Sequence, residues 1–251
     1  MLPGPRLLLQ RSMQEYWQHR SIYVGYCAWM LLWLIPQMLA NLFLGPSAQT
    51  IVSLVLMGCE IVALAYIQFI LVSRVRHSLV SPTLAWLPPT TQEITQRLPA
   101  LISVILLVAL VTLGGSILFL IPGLLFSVWF FFADIEVILE QKQGLAALSE
   151  SRALSAGRFF AVFYRVFSVP LLLTLVYNLV YWTIMSPFLL SVQTNWTLEE
   201  ILFHPPPWLT LTHAIGTILI VSPILFIYSV LLYYSLKSEP TSNQPIQNPE
   251  P

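Results

Sequence analysis

The stretch Leu124–Leu139, "LLFSVWFFFADIEVIL", decides how many times this chain crosses a bilayer. It is shorter than the about 20 apolar residues that a membrane helix needs. It also carries Asp134 and Glu136, with Glu140 just beyond. Either it is a short span that leaves the membrane at its acids, or it is no span at all. Composition sets the terms. Of 251 residues, 57% are hydrophobic and 9% charged, where a soluble domain carries about 25% charge. Mean hydropathy is +0.78. Too little charge is present to cover a watery surface, so a bilayer is the expected solvent.

The remaining apolar runs long enough to span are Ile22–Leu44, Ile51–Val72, Leu98–Ile121, Val166–Val192 and Trp208–Leu236. Counting Leu124–Leu139 gives six. The eleven Lys and Arg residues test that count. Arg6, Arg11 and Arg20 precede the first span, and Arg74, Arg76 and Arg97 lie between the second and third. Lys142, Arg152, Arg158 and Arg165 lie between the fourth and fifth, and Lys237 follows the last. With six spans they all fall on one side, and the loops Gly45–Thr50, Pro122–Gly123 and Gln193–Pro207 hold none. Positive loops mark the cytoplasmic face. A five-span chain would place them on both faces.

The sequence therefore predicts an all-α polytopic bundle of six spans with both termini cytoplasmic, in the cell (inner or plasma) membrane. Residues 1–21 form a cytoplasmic or interfacial segment, 22–237 the membrane domain, and 238–251 a disordered cytoplasmic tail. In the first segment Leu9, Met13, Tyr16, Trp17 and Arg20 share a helical face suited to the interface. The tail has almost nothing apolar to bury. Pro122–Gly123 punctuates a tight hairpin between spans three and four.

Asp134 lies about 15 Å along a helix from Leu124, and Leu139 about 22 Å. If Gly123 sits at the outer surface, Asp134 is still inside the membrane. If the hairpin tip is sunk a few ångström, all three acids emerge at the inner headgroups. The second reading is preferred, because intramembrane charge costs a few kcal/mol per group. Glu136 and Glu140 share one helical face, and Asp134 points away from it. A short interfacial helix, Leu145–Ala156, follows, with Gly157 as its stop. The expected pairing is between Glu136 or Glu140 and the cations of Lys142–Arg165, among them Arg152 and Arg158. Such pairs would dock this helix and build a fixed cytoplasmic face.

Pro122–Gly123, the aromatic span, Glu140, the set Ala147, Leu148, Ser151, Leu154 and Gly157, and then Phe159–Phe160 together carry a resemblance. The stretch resembles the core motif of bacterial six-span integral membrane proteins of unknown function. It is also similar to the membrane domain associated with glycerophosphoryl diester phosphodiesterases. The motif covers about a fifth of the chain, and the six-span layout extends it. The resemblance implies the fold and no settled activity. No stretch of the sequence looks like the soluble phosphodiesterase domain, so that activity is not expected.

Glu60 is the sharpest polar candidate inside a span. It stands about 14 Å from Ile51, and Asn178 lies about 18 Å along the fifth span, a similar depth. Tyr177 and Tyr181 flank Asn178. The functional reading is a proton or ion site. The structural reading, preferred here, is a buried uncharged Glu60 hydrogen-bonded to Asn178 or a tyrosine. Pro36, Pro170, Pro187 and Pro223 read as kinks rather than transporter breaks. Glu200 and His204, with Glu199 and His213 nearby, lack fixed metal-ligand spacing, and "HPPPW" reads as a stiff loop bringing Trp208 to the interface. Asn195–Thr197 matches a glycosylation acceptor by chance. Cys27 and Cys59 both lie in apolar runs and read as small apolar residues.

No cofactor or metal is expected, and a net charge of zero gives no basic field for nucleic acid. The expected partners are the bilayer and a protein at the cytoplasmic face. Three functional classes follow. The first is a non-catalytic membrane protein that organises partners or membrane state. The second is a small transporter or channel using Glu60, and the third a lipid-directed membrane enzyme. Dispersed histidines lower the third, and the first is preferred.

Overall fold

The computed structural model describes residues 4–32, 35–36, 45–80, 90–191 and 206–238. Among these residues every regular element is helical. They are α1 (Pro5–Gln18), α2 (Arg20–Leu31), α3 (Pro46–Val80), α4 (Thr91–Leu118) and α5 (Leu120–Trp129). Then follow α6 (Ala133–Glu140), α7 (Gly144–Ser155), α8 (Phe159–Ser191), α9 (Pro207–Gly216), a π turn (Thr217–Val221) and α10 (Ser222–Lys237). Five helical stretches are long and apolar enough to cross a membrane: Thr50–Ser78, Thr91–Leu118, Leu120–Glu140, Phe159–Leu189 and Trp208–Lys237. The chain is a multi-pass helical membrane protein. Most of the expected first span beyond Leu32 lies outside the described residues, as do Glu199, Glu200, His204, Asn195–Thr197 and the tail after Ser238.

Exposure divides the molecule along its helices. On α3 the exposed large apolar side chains run from Ile51 to Tyr66, and on α4–α5 from Leu106 to Leu124. On α8, Phe160 and Tyr164 aside, they run from Leu171 to Phe188. That last interval is about 26 Å, close to the roughly 30 Å of bilayer hydrocarbon. Beyond this belt the same helices become buried: the core draws on Phe69, Leu71, Leu101, Ile138, Tyr228 and Tyr233. Arg74, Arg76, Arg97, Lys142, Arg152, Arg158, Arg165 and Lys237 all lie toward this charged end.

The hairpin between α4 and α5 forms, yet its break falls at Phe119, whose φ of −159° and ψ of 145° are extended. Pro122 sits instead in the first turn of α5, where its missing N–H would have had no partner anyway. A Cβ on Gly123 would lie 2.9 Å from the Cα of Ser116 on the facing helix. Glycine is what lets the two backbones close.

Two features add to the expectation. The expected fourth span is two helices, α5 and α6, with a turn at Phe130–Phe132 between them. And α1 buries Leu8, Ser12 and Tyr16 against α10, while Met13 and Trp17 are 40% and 58% exposed. Of the face expected at the interface, Tyr16 packs inside the protein while Met13 and Trp17 stay open. Pro223 explains its place. Proline offers no N–H to the carbonyl one turn earlier, that of Leu219, and the Tyr16 hydroxyl donates to that oxygen at 2.8 Å. The π turn lies at this same point.

Candidate functional site

The acids of α6 divide between two faces. Asp134 accepts from the Gln68 amide of α3, and its other oxygen accepts the Ile135 N–H at 2.8 Å. Glu136, only 3% exposed, turns to the last helix and accepts the Tyr233 hydroxyl at 3.0 Å. One turn on, Glu140 pairs with Lys237 at 2.6 Å, and Lys237 also donates to the Tyr233 oxygen at 3.2 Å. Glu136, Tyr233, Lys237 and Glu140 thus form a continuous chain between α6 and α10. A buried carboxylate needs such a donor.

This corrects the expected pairing. The cation for Glu140 comes from Lys237, not from Lys142–Arg165. Lys142 pairs with Glu150 at 3.5 Å in an exposed position, a contact of small worth. The Arg152 guanidinium lies 4.3 Å over the Trp129 ring, and Arg158 donates to the Leu236 and Leu154 carbonyls at 2.7 and 3.1 Å. Arg97 pairs with Glu93 at 3.1 Å and caps α6 through the Ile138 carbonyl at 3.0 Å. The reason is geometric. The turn at Phe130–Phe132 re-aims α6, so its acid face meets α10 and not the helix that follows it.

The segment expected to be a short interfacial helix folds as the helix α7, followed by Gly157 at φ +75°, a left-handed value that suits glycine. It docks through Ala147, Leu148, Ser151 and Ser155, all buried. Ser151 matters most. Breaking a helix strands carbonyls on one side and amides on the other. The Ser151 hydroxyl donates to the Trp129 carbonyl at 2.8 Å and accepts the Phe132 N–H at 3.1 Å. The small-residue motif is thus the clamp of the broken span.

Glu60 does not join the trio expected around it. It is half-buried on α3. Tyr177 donates to the His213 carbonyl at 2.9 Å, and Asn178 meets the His213 ring at 3.1 Å while donating to Thr174. Tyr181 bonds to Leu209 and Thr212, each at 2.8 Å. These bonds fasten α8 to α9. His213, weighed in the sequence only as a neighbour of Glu199, Glu200 and His204, lies within α9, and its imidazole is the partner that Asn178 meets. Gln68, Tyr233 and Lys237 were also missed. Gln68 alone left a signal, as an amide within an apolar run.

Among the described residues no group of three or more His, Cys, Asp or Glu could hold a metal ion. In comparisons with known proteins, no family model, no curated protein and no solved structure matches the chain.

Proposed function

We propose that the chain is a six-span protein of the cell (inner or plasma) membrane with both termini cytoplasmic, and that it is a non-catalytic organiser. Its charged end would present a fixed face to a protein partner. One observation carries this reading: α7 is held on one face by Ala147, Leu148, Ser151 and Ser155, and its other face is left open. Leu145 on that open face is 74% exposed, and Phe160 just beyond is 82% exposed. Exposed apolar groups beside charges mark interaction surfaces.

Photocrosslinking residues placed at Leu145 and Ser149 test the idea in intact cells. A discrete protein adduct at these positions, absent when the crosslinker replaces Leu110 in the apolar belt, is the expected result. Lipid adducts alone at Leu145 and Ser149 would remove the organising role. The alternative is a small transporter or channel using Glu60, and a cavity beside Asp134 adds a second polar place for it.

A further inference from the structure

A cavity of about 740 Å³ opens between α3, α5, α6, α8 and α10, where the apolar belt meets the charged end. Its volume lies in the range that holds small organic molecules, about 300–1,000 Å³. Its polar wall offers mostly acceptors. Four of its hydroxyls have already given their protons to backbone: Ser127 to Leu124 at 2.8 Å, Ser222 to Thr217 at 3.2 Å, Ser229 to Phe226 at 2.8 Å and Tyr228 to Arg165 at 2.9 Å. A hydroxyl used in this way keeps only its lone pairs for other partners. Thr174 adds a hydroxyl that can turn either way, and Gln68 gives one of its two amide N–H groups to Asp134. Asp134 brings a carboxylate, and no ion pair reaches it among the described residues. Arg165, whose carbonyl Tyr228 holds, does not line the space.

The cavity therefore shows a ligand mainly lone pairs and one acid, with Phe131, Phe167 and Phe226 as its aromatic walls. Aromatic faces attract cations, and an acid out of water is stabilised by a charge of opposite sign. We infer that this cavity binds a lipophilic organic cation bearing N–H donors, with its cationic group on Asp134 and its apolar body among the phenylalanines. The same chemistry occurs in free amphiphilic amines and in the ammonium headgroup of an aminophospholipid. The site goes beyond the organising role and stands or falls independently of it.

Ethidium, a fluorescent aromatic cation with amino groups, is a suitable probe. The full chain in phosphatidylcholine nanodiscs should bind it saturably, read by fluorescence anisotropy. Asp134→Asn, which keeps shape and removes charge, should weaken binding at least about tenfold, the factor that 1.4 kcal/mol represents. Thr174→Trp, which fills the cavity from its α8 wall and leaves Asp134 in place, should abolish it. Size-exclusion profiles confirm that each variant is folded, and a misfolded Asp134→Asn leaves Thr174→Trp to decide. Replacing part of the phosphatidylcholine by phosphatidylethanolamine separates the sources. Weakened ethidium binding assigns the site to the lipid headgroup, and unchanged binding assigns it to free cations. Absence of saturable binding, or equal binding by wild type and both variants, overturns the inference.

Discussion

The Ser151 hydroxyl donates to the Trp129 carbonyl at 2.8 Å, which ties α7 to the last residue of α5. The same oxygen takes the Phe132 amide at 3.1 Å. One buried side chain thus satisfies both lips of the break between α5 and α6. Ser151→Ala should cost about 1–3 kcal/mol, the cost of leaving buried backbone groups unpaired. Hydrogen exchange should show faster exchange in α7 and at Phe132, with α8 unchanged. Unchanged protection at both would mean the clamp is dispensable.

Tyr233→Phe and Lys237→Gln dissect the link between α6 and α10. Tyr233 serves a buried carboxylate, so its loss should cost about 1–3 kcal/mol. Lys237 and Glu140 are partly exposed, and their pair should contribute about 0–1 kcal/mol. Thermal unfolding in detergent should therefore rank Tyr233→Phe as clearly the more damaging. The reverse order would show that the ion pair, not the hydroxyl, holds the helices.

Tyr16 and Pro223 should be coupled although they lie far apart in sequence. Tyr16→Phe strands the Leu219 carbonyl and should destabilise by about 1–2 kcal/mol. Pro223→Ala restores an N–H that can take over that carbonyl. The double variant should then lose less than the sum of the single changes, and additive losses would break the link between them.

Gly123→Ala probes the hairpin. Its methyl would meet Ser116 backbone at 2.9 Å, and backbone cannot step aside as a flexible side chain can. A cost of about 1–3 kcal/mol is expected from overpacking. The same change at Gly114, where a Cβ meets nothing within 4 Å, should be far milder. Equal effects would show that the two helices do not close at Gly123.

These contrasts show how much was legible in the sequence. Apolar runs of sufficient length announce membrane helices, because the bilayer imposes a single length scale. Five such stretches are present, and a helix falls at Gly144–Ser155, where a short one was expected at Leu145–Ala156. The opposite faces of Asp134 and Glu136 also followed from helical spacing. What did not follow was partner choice. Glu140 found Lys237, almost a hundred residues away, because a turn at three consecutive phenylalanines re-aimed α6, and apolar periodicity does not reveal a turn. Asn178 found His213 rather than Glu60, since depth along a helix says nothing about which helices are neighbours. Tyr16 reached Leu219 through a defect created by Pro223, a pairing visible only once the helices are packed.

The central claim is that the charged end faces the cytoplasm while the exposed apolar belt lies in the bilayer. Cysteine labelling tests it most directly, on a background carrying Cys27→Ala and Cys59→Ser. Single cysteines at Ser149 on α7 and Phe119 at the hairpin tip, both exposed, are treated with a membrane-impermeant maleimide. Right-side-out and inside-out vesicles are compared. The account predicts that Ser149→Cys reacts only in inside-out vesicles and that Phe119→Cys reacts in neither. Labelling of Ser149→Cys in right-side-out vesicles, or ready labelling of Phe119→Cys in inside-out ones, would contradict it.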